Sequence, residues 1–167
     1  GIGIGEEFQE HIFEPFTQEH QGARTNYNGV GLGMSIVKKL VDAIAQDGDV
    51  TLIDAAEQKR ADLGQYDLIG FASGIYGGSF HPDVLNLAKN DLPQGKRVFF
   101  LYTSAGLGSA KSIAATVKEK SAVVAGEFGC RGYNTFGPFR LVGGTSKGHP
   151  DETDLENARR FFEGLCE

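Results

Sequence analysis

Two short segments hold the residue types that a planar cofactor needs. Ser73-Gly74-Ile75-Tyr76-Gly77-Gly78-Ser79-Phe80 and Thr103-Ser104-Ala105-Gly106-Leu107-Gly108 each combine glycines with hydroxyls. Glycine lets backbone N–H groups approach a flat ring closely, a hydroxyl supplies an adaptable hydrogen bond, and Tyr76 can stack on or cover an aromatic system. A flavin suits this chemistry. Glycine and serine also make ordinary strand-to-helix turns, so either segment alone reads equally well as a plain loop. The two together point to a site.

The elements around these loops alternate. Asp49–Ile53, Tyr66–Ala72, Arg97–Tyr102 and Ala122–Gly126 are short apolar runs suited to buried parallel strands. Between them, Met34 to Gln46 repeats Ile36, Val37, Leu40, Val41 and Ile44 at helical spacing, and Pro82–Asn90 and Ser109–Lys120 are weaker amphipathic helices. At the end, Asp151 and Asp154 are placed to cap a helix whose apolar face is Leu155, Ala158, Phe161, Phe162 and Leu165. Such alternation predicts an α/β sandwich with right-handed crossovers. Its ligand belongs beyond the carboxyl ends of the strands, which is where both loops fall.

Bulk properties narrow the classes. A chain of 167 residues with 40% hydrophobic composition fits one compact domain, since domains commonly run about 100–200 residues. A formal charge of -6 argues against a nucleic-acid partner, and an acidic surface suits docking onto basic proteins. Cys130 and Cys166 stand far apart in no metal or CxxC spacing, so a disulfide framework or zinc site is not expected and a reducing, cytoplasmic setting is. No apolar run approaches the roughly 18 residues of a membrane span, and no signal-like leader precedes the domain. The opening on Gly1 rather than Met reads as a fragment or a processed chain.

Longer motifs carry a resemblance. Tyr66–Tyr76 followed by Phe80-His81, Gly95–Ser104, and the tail Gly126-Glu127-Phe128-Gly129-Cys130-Arg131-Gly132-Tyr133-Asn134-Thr135-Phe136-Gly137-Pro138 through Lys147-Gly148-His149-Pro150 are similar to short-chain flavodoxin-like proteins. The resemblance covers about residues 38–167. It implies a doubly wound parallel sheet with helices on both faces, strand order 2-1-3-4-5, noncovalent FMN and electron transfer to redox partner proteins. On that likeness Ser73, Gly74, Ile75, Tyr76, Gly77 and Gly78 line one side of the isoalloxazine, and Thr103, Ser104, Ala105 and Gly106 the other. One departure is large. A flavodoxin opens with an apolar first strand and a phosphate loop of the type T-x-T-G-N-T, and neither stands before the Ser35–Gln46 helix. Loss of that central strand leaves the Asp49–Ile53 segment without its usual neighbour, and unpaired backbone groups are costly to bury. Gln9 to Phe16 is a poor substitute because Pro15 lacks a donor.

The segment in that place resembles something else. Gly1-Ile2-Gly3-Ile4, Phe13-Glu14-Pro15-Phe16 and Gly29-Val30-Gly31-Leu32-Gly33-Met34-Ser35 look, in order, like the end of the D-x-G-x-G-I box, the F box and the second glycine box of histidine-kinase ATPase domains. The likeness assigns residues 1–37 to an ATP-lid fragment and implies ATP with Mg²⁺, with Gly29, Gly31 and Gly33 facing phosphates at a helix N-terminus. Kinase activity is not expected, because the adenine-reading Asp, the Mg²⁺-holding Asn helix and the phosphoacceptor histidine have no counterpart here. Lys38–Ala45 passes in either family, so a crossover inside that helix keeps its apolar face continuous.

Single residues are read plainly. His11, His20, His81 and His149 are taken as surface or loop residues, Cys130 beside Arg131 as an ordinary loop thiol, and Asp151, Glu152 and Asp154 as capping or solvated acids. Three readings stand at this point: an FMN-binding electron carrier, or a chimera of one with FMN binding impaired by the missing strand; an ATP-binding kinase fragment; and a structural chimera that binds neither.

Overall fold

The computed structural model describes residues 39–41, 43–44, 50–75, 77–104, 108–132, 146 and 148–167. Three strands and three helices order most of them: β1 (Leu68–Gly74), α1 (Pro82–Asp91), β2 (Arg97–Ser104), α2 (Lys111–Lys118), β3 (Val123–Arg131) and α3 (Glu152–Cys166). The strands form one parallel sheet in the order β1-β2-β3. This is the α/β architecture that the alternating sequence implies.

β2 explains itself. Its eight residues are apolar through Val98, Phe99, Phe100 and Leu101, all buried, as a strand paired on both edges and covered on both faces must be. Alternate side chains divide between two cores. On one face Val98 and Phe100 meet Ile69 and Phe71 of β1, Ala88 of α1, and Ile113 and Val117 of α2. On the other, Phe99 and Leu101 meet Ile44 of the helical residues 43–44 and Phe162 of α3. Helices thus lie on both faces of the sheet. A Cβ on Gly70 would come within 2.4 Å of the Phe99 ring, so the absence of a side chain there is what lets that ring lie flat against β1.

Helix ends follow their chemistry. Pro82 occupies the first turn of α1, where its missing N–H costs nothing, and the His81 ring accepts from Asp83 N at 3.3 Å. α3 opens on a reciprocal capping box: Asp154 N donates to Asp151 Oδ1 at 2.9 Å and Asp151 N donates to Asp154 Oδ2 at 3.0 Å. The sequence reading of those two acids is borne out.

The segment 49–53 corrects the sequence reading. Residues 50–53 are in no strand. Ile53 packs on the first core and Val50 on the second, while Leu52 is exposed. Among the described residues no neighbouring strand takes its backbone groups, and an unpartnered strand has no ladder to hold it extended. Asp54 instead starts a turn, accepting from Ala56 N at 2.8 Å and, through its carbonyl, from Gln58 N at 2.8 Å. Strand ends also move. β1 begins two residues later than expected, and β3 runs on to Arg131, so Cys130 sits in a strand and not a loop.

Candidate functional site

The carboxyl ends of all three strands meet at one rim. In the β1–β2 ladder Gly74 lies opposite Thr103, and the pairing extends one residue further, with Ile75 N donating to Thr103 O at 2.9 Å. In the β2–β3 ladder Ser104 lies opposite Arg131, and Gly132 N donates to Ser104 O at 2.9 Å. The two glycine and hydroxyl segments therefore leave the sheet side by side, as parallel strands require. Gly108, where the second loop returns, is equally close: a Cβ there would lie 2.6 Å from Ser104 Cβ and 2.7 Å from Ile75 Cγ1.

The first loop is closed at its base. Buried Ser73 donates through Oγ to Gly74 O at 2.7 Å and accepts from His81 N at 3.0 Å, which ties the strand end to the start of α1. Phe80 N donates to Ser112 Oγ of α2 at 3.0 Å, and the Phe80 ring stands edge-on to Phe100 at 6.4 Å. The Ser73 hydroxyl thus shapes the loop. Between these anchors Gly77 and Gly78 adopt φ of 57° and 84°, a left-handed backbone that favours glycine, and both are exposed with open space where a Cβ would project. A flat ligand can approach that backbone without meeting a side chain.

The second loop starts from buried Thr103, whose Cβ packs at 2.9 Å from the position a Cβ would take on Gly132. Ser104 is half-buried beside it. Of the thirteen positions that the sequence suggests for ligand binding, Ser73, Gly74, Ile75, Thr103 and Ser104 meet at this rim, and Gly77 and Gly78 lie exposed in the segment that follows β1. Tyr76, Ala105, Gly106, Gly29, Gly31 and Gly33 lie outside the described residues. Sequence reasoning passed over Gly108, Gly132, Ser112 and Arg131 as site residues, because only strand register and loop anchoring bring them to the rim.

Electrostatics here are quiet. Cys130 lies behind the rim on β3, and burial pushes its thiol up to about 12, with the carboxylates of Asp154 and Asp151 adding to the shift. An Arg131 neighbour does not activate it, so the plain-thiol reading holds although its place in the fold differs. Burial also raises the Tyr102 phenol, aided by Glu127. His149 Nδ1 sits 2.7 Å from Asp154 Oδ2, bracing the α3 cap, so this histidine has a structural task. The exposed positive-φ backbone of Gly77 and Gly78 and the paired bases of the two loops leave a surface that fits one face of a flat ring such as that of FMN.

The fold and the two-part sequence find counterparts among known proteins. Crystal structures of oxidised flavodoxins resemble this fold; Flavodoxin 1 from Bacillus cereus superposes with a TM-score of 0.54 at 14% identity, covering 79% of this chain and 87% of that one. The molecule has a flavodoxin-like fold joined to a histidine-kinase ATPase fragment. The family model for Histidine kinase-, DNA gyrase B-, and HSP90-like ATPases matches residues 1–100. Uncharacterized protein MJ0298 of Methanocaldococcus jannaschii is 32% identical over 133 residues, 77% of this chain and 88% of that protein. The chain belongs to that ATPase family over residues 1–100 and to the family of MJ0298 over most of its length. Among the kinases, Autoinducer 2 sensor kinase/phosphatase LuxQ of Vibrio parahaemolyticus is 50% identical over 50 residues, which is 30% of this chain. The chain spans 6% of that kinase's length.

Proposed function

We propose that this chain binds FMN noncovalently at the rim formed by Ser73–Gly78 and Thr103–Gly108, and that it carries electrons between redox proteins. The observation that carries the reading is the shared exit of the two loops, fixed by the Gly74–Thr103 register and the Ile75 N to Thr103 O bond. When bound, the flavin supplies the electron-accepting chemistry, as cofactors of this kind do. The residues of the chain do the rest. Backbone N–H groups of the glycine loops would orient the ring, and Ile75 with the buried bases of Ser73 and Thr103 would keep water from it. The formal charge of -6 favours docking onto basic partner surfaces. Among the described residues no helix is long and apolar enough to cross a membrane.

The match to the ATPase family supports a second reading, in which Gly29, Gly31 and Gly33 hold the phosphates of ATP with Mg²⁺. Parallel titrations separate the two. Quenching of FMN fluorescence on addition of the protein supports the flavin site; binding of an ATP analogue only in the presence of Mg²⁺ supports the kinase fragment; no response from either leaves a fold without these ligands and refutes both.

A further inference from the structure

We infer that the outer edge of β1 pairs with the same edge of a second copy of this chain, antiparallel about a twofold axis, so that two three-stranded sheets join into one of six strands. The inference does not rest on the flavin reading.

Three observations lead to it. First, the backbone of β1 is open at its middle. Among the described residues its one ladder is with β2, and residues 50–53, in no strand, add none. Ile69 and Phe71 are buried in the first core, and the Phe99 ring covers the other face of Gly70, where a Cβ would come within 2.4 Å of it; Gly70 is nonetheless exposed. What it exposes is the side of its backbone turned away from β2. An open strand edge offers alternating N–H and C=O groups, and the structure that answers both is another extended strand.

Second, the two edges of the sheet differ. The ladder of β3 slips between Val98 and Phe99, which leaves a bulge, and Glu127 and Arg131 stand exposed further along it, although Val123 and Val124 are exposed at its start. Bulges and charges are the usual devices that blunt an edge. β1 carries neither. Its seven residues, Leu68–Gly74, include no charge and no proline, and their register with β2 runs without a slip. An unguarded edge of this length invites pairing.

Third, the strand that this edge calls for is β1 itself. Ile69 and Phe71 belong to the first core while Leu68 and Ala72 pack on the second, so an added strand extends both cores only if it is uncharged and apolar on both faces. Leu68–Gly74 has that composition. A twofold pairing uses one edge twice and closes, which leaves no further edge of this kind open. Asp67, the exposed charge just before β1, then stands at opposite ends of the shared ladder in the two copies. Each copy carries a formal charge of -6, so electrostatics opposes the contact and backbone bonds with apolar burial carry it.

Sedimentation equilibrium and amide hydrogen exchange of the whole chain, each over about a hundredfold range of concentration, test this without altering a residue. A monomer–dimer equilibrium is expected. Once the dimer predominates the monomer fraction falls as the inverse square root of concentration, so the amides of 68–74 that face away from β2 exchange about tenfold more slowly across that range, while those of β3 do not change. Added salt strengthens the dimer by screening the like charge of the copies. Ala72→Lys, which sets a charge on the shared edge, returns the chain to monomer with its far-ultraviolet circular dichroism unchanged. A chain that stays monomeric throughout overturns the proposal, as does growth beyond the dimer. So does a dimer that protects β3 in place of β1, or one that salt dissociates, since either marks pairing through Glu127 and Arg131. Should Ala72→Lys fail to fold, the concentration dependence of exchange at 68–74 in the wild type still decides.

Discussion

The two ends of the sheet are built from different materials. At the amino ends of the strands, charge is spent on holding the chain together. Lys96 Nζ donates to Gly64 O at 2.7 Å and to Tyr66 O at 2.8 Å, clamping the turn before β1 to the start of β2. Asp91, with a side chain only 4% exposed, accepts from Ala61 N at 2.7 Å and from Arg60. Burial alone would raise its pKa, yet those hydrogen bonds and the Arg60 charge hold it below the ordinary carboxylate value. Among the described residues at the carboxyl ends, the hydroxyls of Ser73 and Thr103 are buried, Ser104 is half-buried, and Gly77 and Gly78 have open space where a Cβ would project. One end is finished by its own side chains. The other leaves the backbone of Gly77 and Gly78 exposed beyond the carboxyl ends of the strands, where ligands of parallel α/β sheets commonly bind.

Substitutions can break that contrast, and the largest effect is expected where both ends share support. Phe100 is 1% exposed and props Phe80 at the base of the first loop, so Phe100→Ala should cost about 3–5 kcal/mol in urea unfolding and weaken FMN binding as well. Gly108→Val strikes the rim alone. Crowding Ser104 and Ile75 should cost about 1–3 kcal/mol and abolish FMN quenching. Lys96→Met strikes the other end, with about 1 kcal/mol lost and FMN affinity within twofold of wild type. If Lys96→Met damaged binding as much as Gly108→Val, the division of labour between the ends would be wrong.

The smallest expected effect concerns Cys130. A thiol raised to about 12 stays protonated, so iodoacetamide should leave Cys130 unmodified at pH 8 while exposed Cys166 reacts, read by peptide mass. The linkage has a definite sign. Because the folded pKa lies above the unfolded one, the stabilisation from Cys130 is complete below about pH 8.5 and is lost as pH rises toward 12. Rapid labelling of Cys130 at pH 8 would place it in the solvent-facing rim.

Much of this was legible in residue types. Arg97–Tyr102 reads as a central strand because four successive apolar residues leave no polar face, and the Asp151–Asp154 pair reads as a cap because of its spacing. The segment at 49–53 misleads for a physical reason: its apolar composition suits a strand, but a strand exists only with a partner, and pairing is not written in the segment itself. β3 is underread for the opposite reason. Gly126, Gly129 and the charged Glu127 and Arg131 dilute its apolar signal, while its extent is set by pairing with β2. The same dilution hides Arg131 as a rim residue, since only register sets it beside Ser104. For the loops, composition named Ser73 and Thr103, and the structure adds that Ser73 works through loop closure.

Amide hydrogen exchange of the whole chain, followed with and without saturating FMN, tests the central claim most directly. Slowed exchange is expected at 73–78 and 103–108 together, with residues 29–33 and the Lys96 end unchanged. Protection that spares both glycine loops, or that appears at 29–33 in their stead, would contradict it.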